Sequence, residues 1–293
     1  MTEATKAPVF VAGAGLMGAG IAAQCALAGH PVVLEDITAP LAEAGLARAR
    51  RALDHAVQRK EIEPAGRDAA AGRIATGVGI GGAAAAGFVI EAAPENLALK
   101  RQLFRDLEAV ASPEATLASN TSSLPIASIG QGLRSPERLV GLHFFNPVLQ
   151  MPLVELIAGA GTRPEVVARA GAFAADLGKT VVRSADTPGF VTSRAVAGLI
   201  NEAARMLESG VASRDDIDAA YRLGFHHPMG PFELVDLIGL DTTVAILEVL
   251  YEGLKDERYR PSEALRSRVA AGKLGRKSGE GFYTYPASPA RRA

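Results

Sequence analysis

Two polar residues stand out in segments that are otherwise apolar. His143 follows the run Leu139-Val140-Gly141-Leu142, and twelve residues later Glu155 lies inside Leu153-Val154-Glu155-Leu156-Ile157. A lone carboxylate in such a run is costly to bury, whereas one paired with an imidazole is stabilised. Histidine ordinarily titrates near neutrality. An imidazole held by a carboxylate is therefore suited to take a proton from a hydroxyl while hydride leaves the same carbon. The other chemical feature is Gly13-Ala14-Gly15-Leu16-Met17-Gly18, between the apolar Pro8-Val9-Phe10-Val11-Ala12 and an alanine-rich stretch. A strand, a glycine-rich turn and a helix N-terminus together make a pyrophosphate site. Gly13 permits the tight turn, Gly15 lets the backbone approach the phosphates, and Gly18 lets helix pack on strand. A second apolar segment, Pro31-Val32-Val33-Leu34, ends in Glu35-Asp36. Asp36 stands about 20 residues past the glycines, where a carboxylate accepts from a ribose 2′-hydroxyl. A carboxylate there repels a 2′-phosphate, so NAD is expected rather than NADP.

The elements that must position these residues follow from the pattern along the chain. Residues 1–186 alternate strand and helix. Strands are expected at 88–90, 116–118, 139–142, 153–157 and 180–182, and helices at 41–59, 97–110 and 164–177. The glycine- and alanine-rich residues 77–87 read as a loose connection. Such alternation predicts an α/β, Rossmann-type doubly wound domain with a mostly parallel sheet covered by helices. At Asp186-Thr187-Pro188-Gly189 the character changes. Residues 187–293 read as an all-α domain, with helices at 190–208, 242–251 and 262–271. Ser213 is an N-cap before Asp215 and Asp216, and an aromatic strand is expected at 282–285.

Composition narrows the class. The chain has 293 residues, 48% hydrophobic and 22% charged, with a formal net charge of −1, ordinary for a globular protein. The 31 basic residues are dispersed, so nucleic acid and anionic membranes are not expected partners. No apolar run reaches the roughly 18 residues a membrane span needs. With the first strand expected by residue 8, no leader peptide is expected, and neither is a location other than the cytoplasm. The single Cys25 excludes an internal disulfide and reads as buried filler. No cluster has metal-ligand spacing. His226 and His227 read as packing residues in a helix connection, and His30 and His55 as loop and surface residues.

Read together, several segments resemble the L-3-hydroxyacyl-CoA dehydrogenase family, in particular its bacterial 3-hydroxybutyryl-CoA members. They are the glycine motif, Ala118-Ser119-Asn120-Thr121-Ser122-Ser123-Leu124, Gly141-Leu142-His143-Phe144-Phe145-Asn146-Pro147, Leu153-Val154-Glu155-Leu156, His227-Pro228-Met229-Gly230-Pro231-Phe232-Glu233-Leu234 and Gly279-Glu280-Gly281-Phe282-Tyr283. They occur in family order over nearly the whole chain. The resemblance implies reversible NAD-dependent oxidation of an (S)-3-hydroxyacyl-CoA. His143 would be the base, Glu155 its partner, and Ser122 a hydrogen-bond donor to the reacting oxygen. It places Glu95, Lys100, Asn146 and Lys277 beside NAD. Arg59 and Lys60 would lie at the phosphate end of the acyl-CoA substrate. It also implies a homodimer formed through the helical domain. One position departs: Ser193 stands where the family has an asparagine that helps fix the substrate. A related hydroxyacyl group, such as one on a carrier protein, therefore stays open as the substrate. So does a dinucleotide-binding protein without catalysis.

Overall fold

The computed structural model describes residues 6–286. It divides into two compact units, Met1–Thr187 and Pro188–Ala293.

The first unit is built on an eight-stranded sheet with β1 (Val9–Ala12), β2 (Val32–Asp36), β3 (Ile74–Val78), β4 (Phe88–Glu91), β5 (Thr116–Ser119), β6 (Leu139–Phe144), β7 (Leu153–Ala158) and β8 (Thr180–Ala185). Spatial order is β3-β2-β1-β4-β5-β6-β7-β8. The strands from β3 to β6 pair in parallel, β7 runs antiparallel to β6, and β8 is parallel to β7. The order reverses between β1 and β4, and ligands bind at such a switch point, beyond the carboxyl ends of the strands. The helices are α1 (Leu16–Leu27), α2 (Ala39–Gln58), α3 (Pro64–Gly72), α4 (Leu97–Val110), the single turn α5 (Ile126–Ile129) and α6 (Pro164–Asp176).

Both faces of the sheet are covered. Val9 and Val11 join a core with Leu46 and Leu53 of α2 and Val166, Ala170 and Phe173 of α6. Phe10 points the other way and is also fully buried. Continuous apolar strands are what two-sided burial requires. The first helix packs so closely that a Cβ on Gly18 would lie 1.8 Å from the Gly13 carbonyl oxygen. Cys25 is buried in α1, as expected.

Several local expectations are corrected. The loose connection at 77–87 is ordered: its start belongs to β3, and Ile80–Ala85 form a 3₁₀ helix. Both α3 and β3 lay in a stretch without an apolar run. Their alanines and glycines offer little periodicity, and β3 is a half-buried edge strand. His30 is no surface residue. It is buried after the turn at Gly29, its Nδ1 2.8 Å from the Ala7 carbonyl and its Nε2 3.0 Å from Asp176, which also binds Lys6.

The second unit contains α7 (Thr192–Glu208), α8 (Arg214–Gly224), α9 (Pro231–Ile238), α10 (Leu240–Leu254) and α11 (Glu263–Ala270). Ser213 caps α8 by accepting the Asp216 N–H. His226 and His227 are exposed in the α8–α9 connection rather than packed inside. No strand forms at 282–285; only isolated bridges occur there. Two buried aspartates fasten that segment instead. Asp236 accepts from the N–H groups of Phe282 (2.9 Å) and Tyr283 (2.8 Å) and from the Tyr285 hydroxyl (3.0 Å). Asp218 accepts from the Phe232 and Glu233 N–H groups (2.8 and 3.1 Å) and from the Tyr283 hydroxyl (2.8 Å).

Burial pushes the Asp218 carboxyl above its ordinary value, while its donors pull it back. Ionisation is thus harder in the folded chain. This group's stabilisation is full below the ordinary carboxylate range and is lost as pH rises through the raised value. Asparagine would keep one acceptor oxygen and turn an amide donor toward other donors. Asp218→Asn is expected to cost about 1–3 kcal/mol, with the deficit largest in acid and narrowing toward neutrality. Urea melts of both proteins at acid and neutral pH check this; an unchanged midpoint would contradict it.

Candidate active site

The antiparallel register of β6 and β7 sets His143 directly opposite Glu155. Their side chains meet, with His143 Nδ1 2.7 Å from Glu155 Oε2. Both are buried, Glu155 completely. An ionised carboxylate only accepts, so Nδ1 is the donor, and in the neutral ring Nε2 then carries the lone pair. The pairing fixes tautomer and ring orientation together. Directly opposite partners on one face of a sheet lie about 4.5–5.5 Å apart at Cβ, which is why residues twelve apart in sequence can form a dyad.

Ser122 belongs to the turn after β5, the strand beside β6. Asn120 ties this turn to the His143 strand by accepting the Phe144 N–H at 2.8 Å. Glu95 organises the turn further. It accepts from the Thr121 hydroxyl (2.6 Å) and from the N–H groups of Ser122 (3.0 Å) and Ser123 (3.2 Å). Desolvation would raise the Glu95 carboxyl, but the Lys100 ammonium and these donors outweigh it and hold it below its ordinary value. Lys100 is buried between two carboxylates, 2.5 Å from Glu91 and 3.3 Å from Glu95. Glu91 also accepts from the Ser119 hydroxyl at 2.6 Å. Glu91 and Asn120 had not been singled out. The signal for Glu91 was the one that exposed Glu155, a carboxylate ending the apolar run Phe88-Val89-Ile90.

At the switch point Gly13 has φ +98°. A Cβ on Gly15 would meet nothing within 4 Å, so its backbone is approachable. The α1 N-terminus, at Gly15, has no side-chain cap, leaving its N–H donors to a phosphate. Asp36 accepts the Ala14 N–H (2.9 Å) on Oδ2 and the Ile37 N–H (2.8 Å) on Oδ1. A carboxylate has about four lone-pair sites, so capacity remains for ribose hydroxyls. These features fit a dinucleotide.

A cavity of about 410 Å³ opens between α1, α2 and the loop 146–150. Four cationic or titratable residues on one face of α2 line it: Arg48, Arg51, His55 and Arg59. Their spacing of three or four residues was readable as a helical stripe. Arg59 and Asn146 were expected site residues, whereas Arg48, Arg51 and His55 were not. Lys60 does not line the cavity: it follows the helix end with φ +60° and is exposed. Asn146 precedes Pro147 through a cis peptide. Beneath the loop, buried Lys179 donates to the carbonyls of Val148 (2.6 Å) and Met151 (3.0 Å). Burial lowers its ammonium below the ordinary lysine range.

In the second unit, Ser193 is buried in the first turn of α7. Lys277 pairs with Asp241 at 2.5 Å. Among the described residues no group of three or more His, Cys, Asp or Glu could hold a metal ion, and no helix is long and apolar enough to cross a membrane.

Comparison with known proteins matches residues 8–187 to the NAD-binding domain of 3-hydroxyacyl-CoA dehydrogenase and residues 189–285 to its C-terminal domain. The chain is 44% identical over 277 residues to a probable 3-hydroxybutyryl-CoA dehydrogenase of Bacillus subtilis, covering 94% of this chain and 96% of that one. It is 45% identical over 277 residues to the 3-hydroxybutyryl-CoA dehydrogenase of Bradyrhizobium diazoefficiens, covering 94% of each. The crystal structure of (S)-3-hydroxybutyryl-CoA dehydrogenase PaaH1 from Ralstonia eutropha superposes with a TM-score of 0.91 at 40% identity, over 95% of this chain and 99% of that chain.

Proposed function

The chain belongs to the 3-hydroxyacyl-CoA dehydrogenase family, and from that membership we propose how its residues divide the work. The enzyme oxidises (S)-3-hydroxyacyl-CoA with NAD, reversibly. The observation that carries the assignment of roles is the buried His143–Glu155 pair. His143 Nε2 takes the hydroxyl proton as the carbinol carbon gives up hydride, and returns it in the reverse reaction. Glu155 holds the ring and stabilises the imidazolium. Ser122 donates to the reacting oxygen, where charge develops. Bound NAD supplies the hydride acceptor. It would be held by the Gly13–Gly18 turn and Asp36, with Glu95, Lys100, Asn146 and Lys277 toward its ribose and nicotinamide. Ile37 and Val78, exposed at the ends of adjacent strands, offer apolar faces to the adenine.

The α2 stripe supports a CoA substrate. No acidic residue lines the cavity among those described, and the nucleotide end of CoA carries several phosphates. Arginine suits phosphate because its fork binds two oxygens at once. A carrier-bound acyl group would bring a single phosphodiester and leave most of the stripe unused. A homodimer formed through the helical unit, in a cytoplasmic setting, belongs to the same proposal. It is supported by exposed Val211, Leu223 and Phe225 and is read by light scattering.

Ser193 favours a second reading, an acyl group other than 3-hydroxybutyryl. NADH formation with 3-hydroxyacyl-CoAs of rising length, and with carrier-bound and free hydroxy acids, separates the two. On the first reading short CoA thioesters are preferred. Ser193→Asn then raises kcat/KM for 3-hydroxybutyryl-CoA by about two- to tenfold, the worth of one hydrogen bond at about 0.5–1.5 kcal/mol. Preference for a carrier-bound or bulkier substrate, damaged by Ser193→Asn, would sink that reading.

A further inference from the structure

The end of α2 places a carboxylate on one of the cavity's arginines. Lys60 N–H bonds the Val57 carbonyl (2.9 Å) and Glu61 N–H bonds the Ala56 carbonyl (2.9 Å). With Lys60 at φ +60°, this is a Schellman cap, and a residue other than glycine holds its left-handed position. The turn brings Glu61 back over the helix. Its two carboxylate oxygens take the Arg59 guanidinium in a two-pronged pair, Nε–Oε1 at 2.7 Å and Nη2–Oε2 at 2.9 Å. Arg59 lines the cavity with Arg48, Arg51 and His55, yet Glu61 does not line it.

The Nε–Nη2 edge that Glu61 fills is one of the two guanidinium edges able to take two oxygens of a phosphate at once. At that edge Arg59 presents the same pair of parallel N–H donors to either partner. We propose that Glu61 is a built-in competitor for the substrate's nucleotide phosphate at Arg59, and so sets the enzyme's affinity for CoA thioesters. The inference rests on the reading of the α2 cavity as the CoA site. The competition is winnable. Both side chains are about one-third to two-fifths exposed, 34% and 41%, and exposed pairs are weak. A phosphate brings greater charge and the further cations of the stripe. Displacement costs the pair and returns Glu61 to water, so the substrate binds less tightly than the bare cation stripe would allow. Because Lys60 and the cap fix where Glu61 sits, the competitor is held by backbone hydrogen bonds rather than by chance encounter.

The test is steady-state kinetics of wild type, Glu61→Gln, Arg59→Gln and the double variant, with 3-hydroxybutyryl-CoA and with 3-hydroxybutyryl-pantetheine, which lacks the nucleotide. Glu61→Gln should lower KM for the CoA thioester about two- to fivefold, the scale of an exposed ion pair. KM for the pantetheine thioester should not move. Arg59→Gln should raise KM for the CoA thioester, and in that background Glu61→Gln should change nothing. If Arg59→Gln leaves KM for the CoA thioester unchanged, the cavity does not bind CoA at Arg59 and both ideas fall. If Arg59→Gln raises it but Glu61→Gln raises it too, or leaves it alone, the CoA reading stands and Glu61 is no competitor; it would then orient Arg59 or do nothing there.

Discussion

Replacing His143 by alanine or glutamine lowers kcat by about 10²–10⁴, the usual worth of a positioned general base, while NADH binding stays near wild type. The reason lies in the pair itself. His143 Nδ1 is committed to Glu155 at 2.7 Å in a buried setting, so the ring is held in one tautomer and one orientation. Glutamine keeps some bulk and polarity but cannot take up a proton at neutral pH. Loss confined to the chemical step lowers kcat and kcat/KM together. Glu155→Gln follows in the same direction, since a neutral amide cannot balance an imidazolium and could turn its NH₂ toward Nδ1. Single-turnover NADH formation and NADH titration, run on the same preparations, separate chemistry from binding. Near-normal turnover in either His143 variant would remove His143 as the base. An unfolded Glu155→Gln with an active, folded His143→Gln would make Glu155 a packing residue only.

The second large effect is cofactor choice. kcat/KM with NAD should exceed that with NADP by about five- to several-hundred-fold. On the proposed reading Asp36 faces the ribose 2′ position, and its oxygens already accept from Ala14 and Ile37. Those two bonds hold the carboxylate in place, so it cannot easily swing away from a phosphate. Two like charges about 4 Å apart cost about 1 kcal/mol in water and about 4 kcal/mol at the effective dielectric of a protein surface. A phosphate near its second ionisation carries more than one charge, which raises the figure. Asp36→Asn removes the repulsion but keeps an acceptor, so the preference should shrink mainly through better use of NADP. Steady-state kinetics with both cofactors checks this, and equal kcat/KM in wild type would remove Asp36 from this role.

Much of the nucleotide half was legible because its signals are local. The strand–glycine–helix pattern and Asp36 follow one another within a few dozen residues, and each constraint concerns a turn, a close approach or a strand end. Glu155 was legible because a carboxylate in an apolar strand must find a partner wherever the strand goes. The parallel alternation of the first unit and the helical character of the second follow from the same short-range periodicities. Short or weakly apolar elements escaped: α3 and β3 lack an apolar run, and α9 is eight residues long with a proline at its first turn.

Tertiary structure decided what depends on neighbours distant in sequence. The alternation suggested a mostly parallel sheet, yet β7 turns antiparallel to β6, and that reversal sets Glu155 across from His143. Nothing within either strand specifies direction, because pairing is chosen by the sheet edge available and the chain that reaches it. Burial was likewise undecided. His30 was read as a loop or surface residue and Lys100 as a residue beside NAD; packing encloses both beside carboxylates. The stripe Arg48, Arg51, His55 and Arg59 was present as spacing in α2. Its meaning came from the loop 146–150 facing it and from Glu61 folding back onto Arg59. A sequence determines which residues share a helix face or a strand, through periods of a few residues. Which faces meet is settled by the packing of the whole unit, where one contact can join residues more than a hundred positions apart, as His30 and Asp176 are.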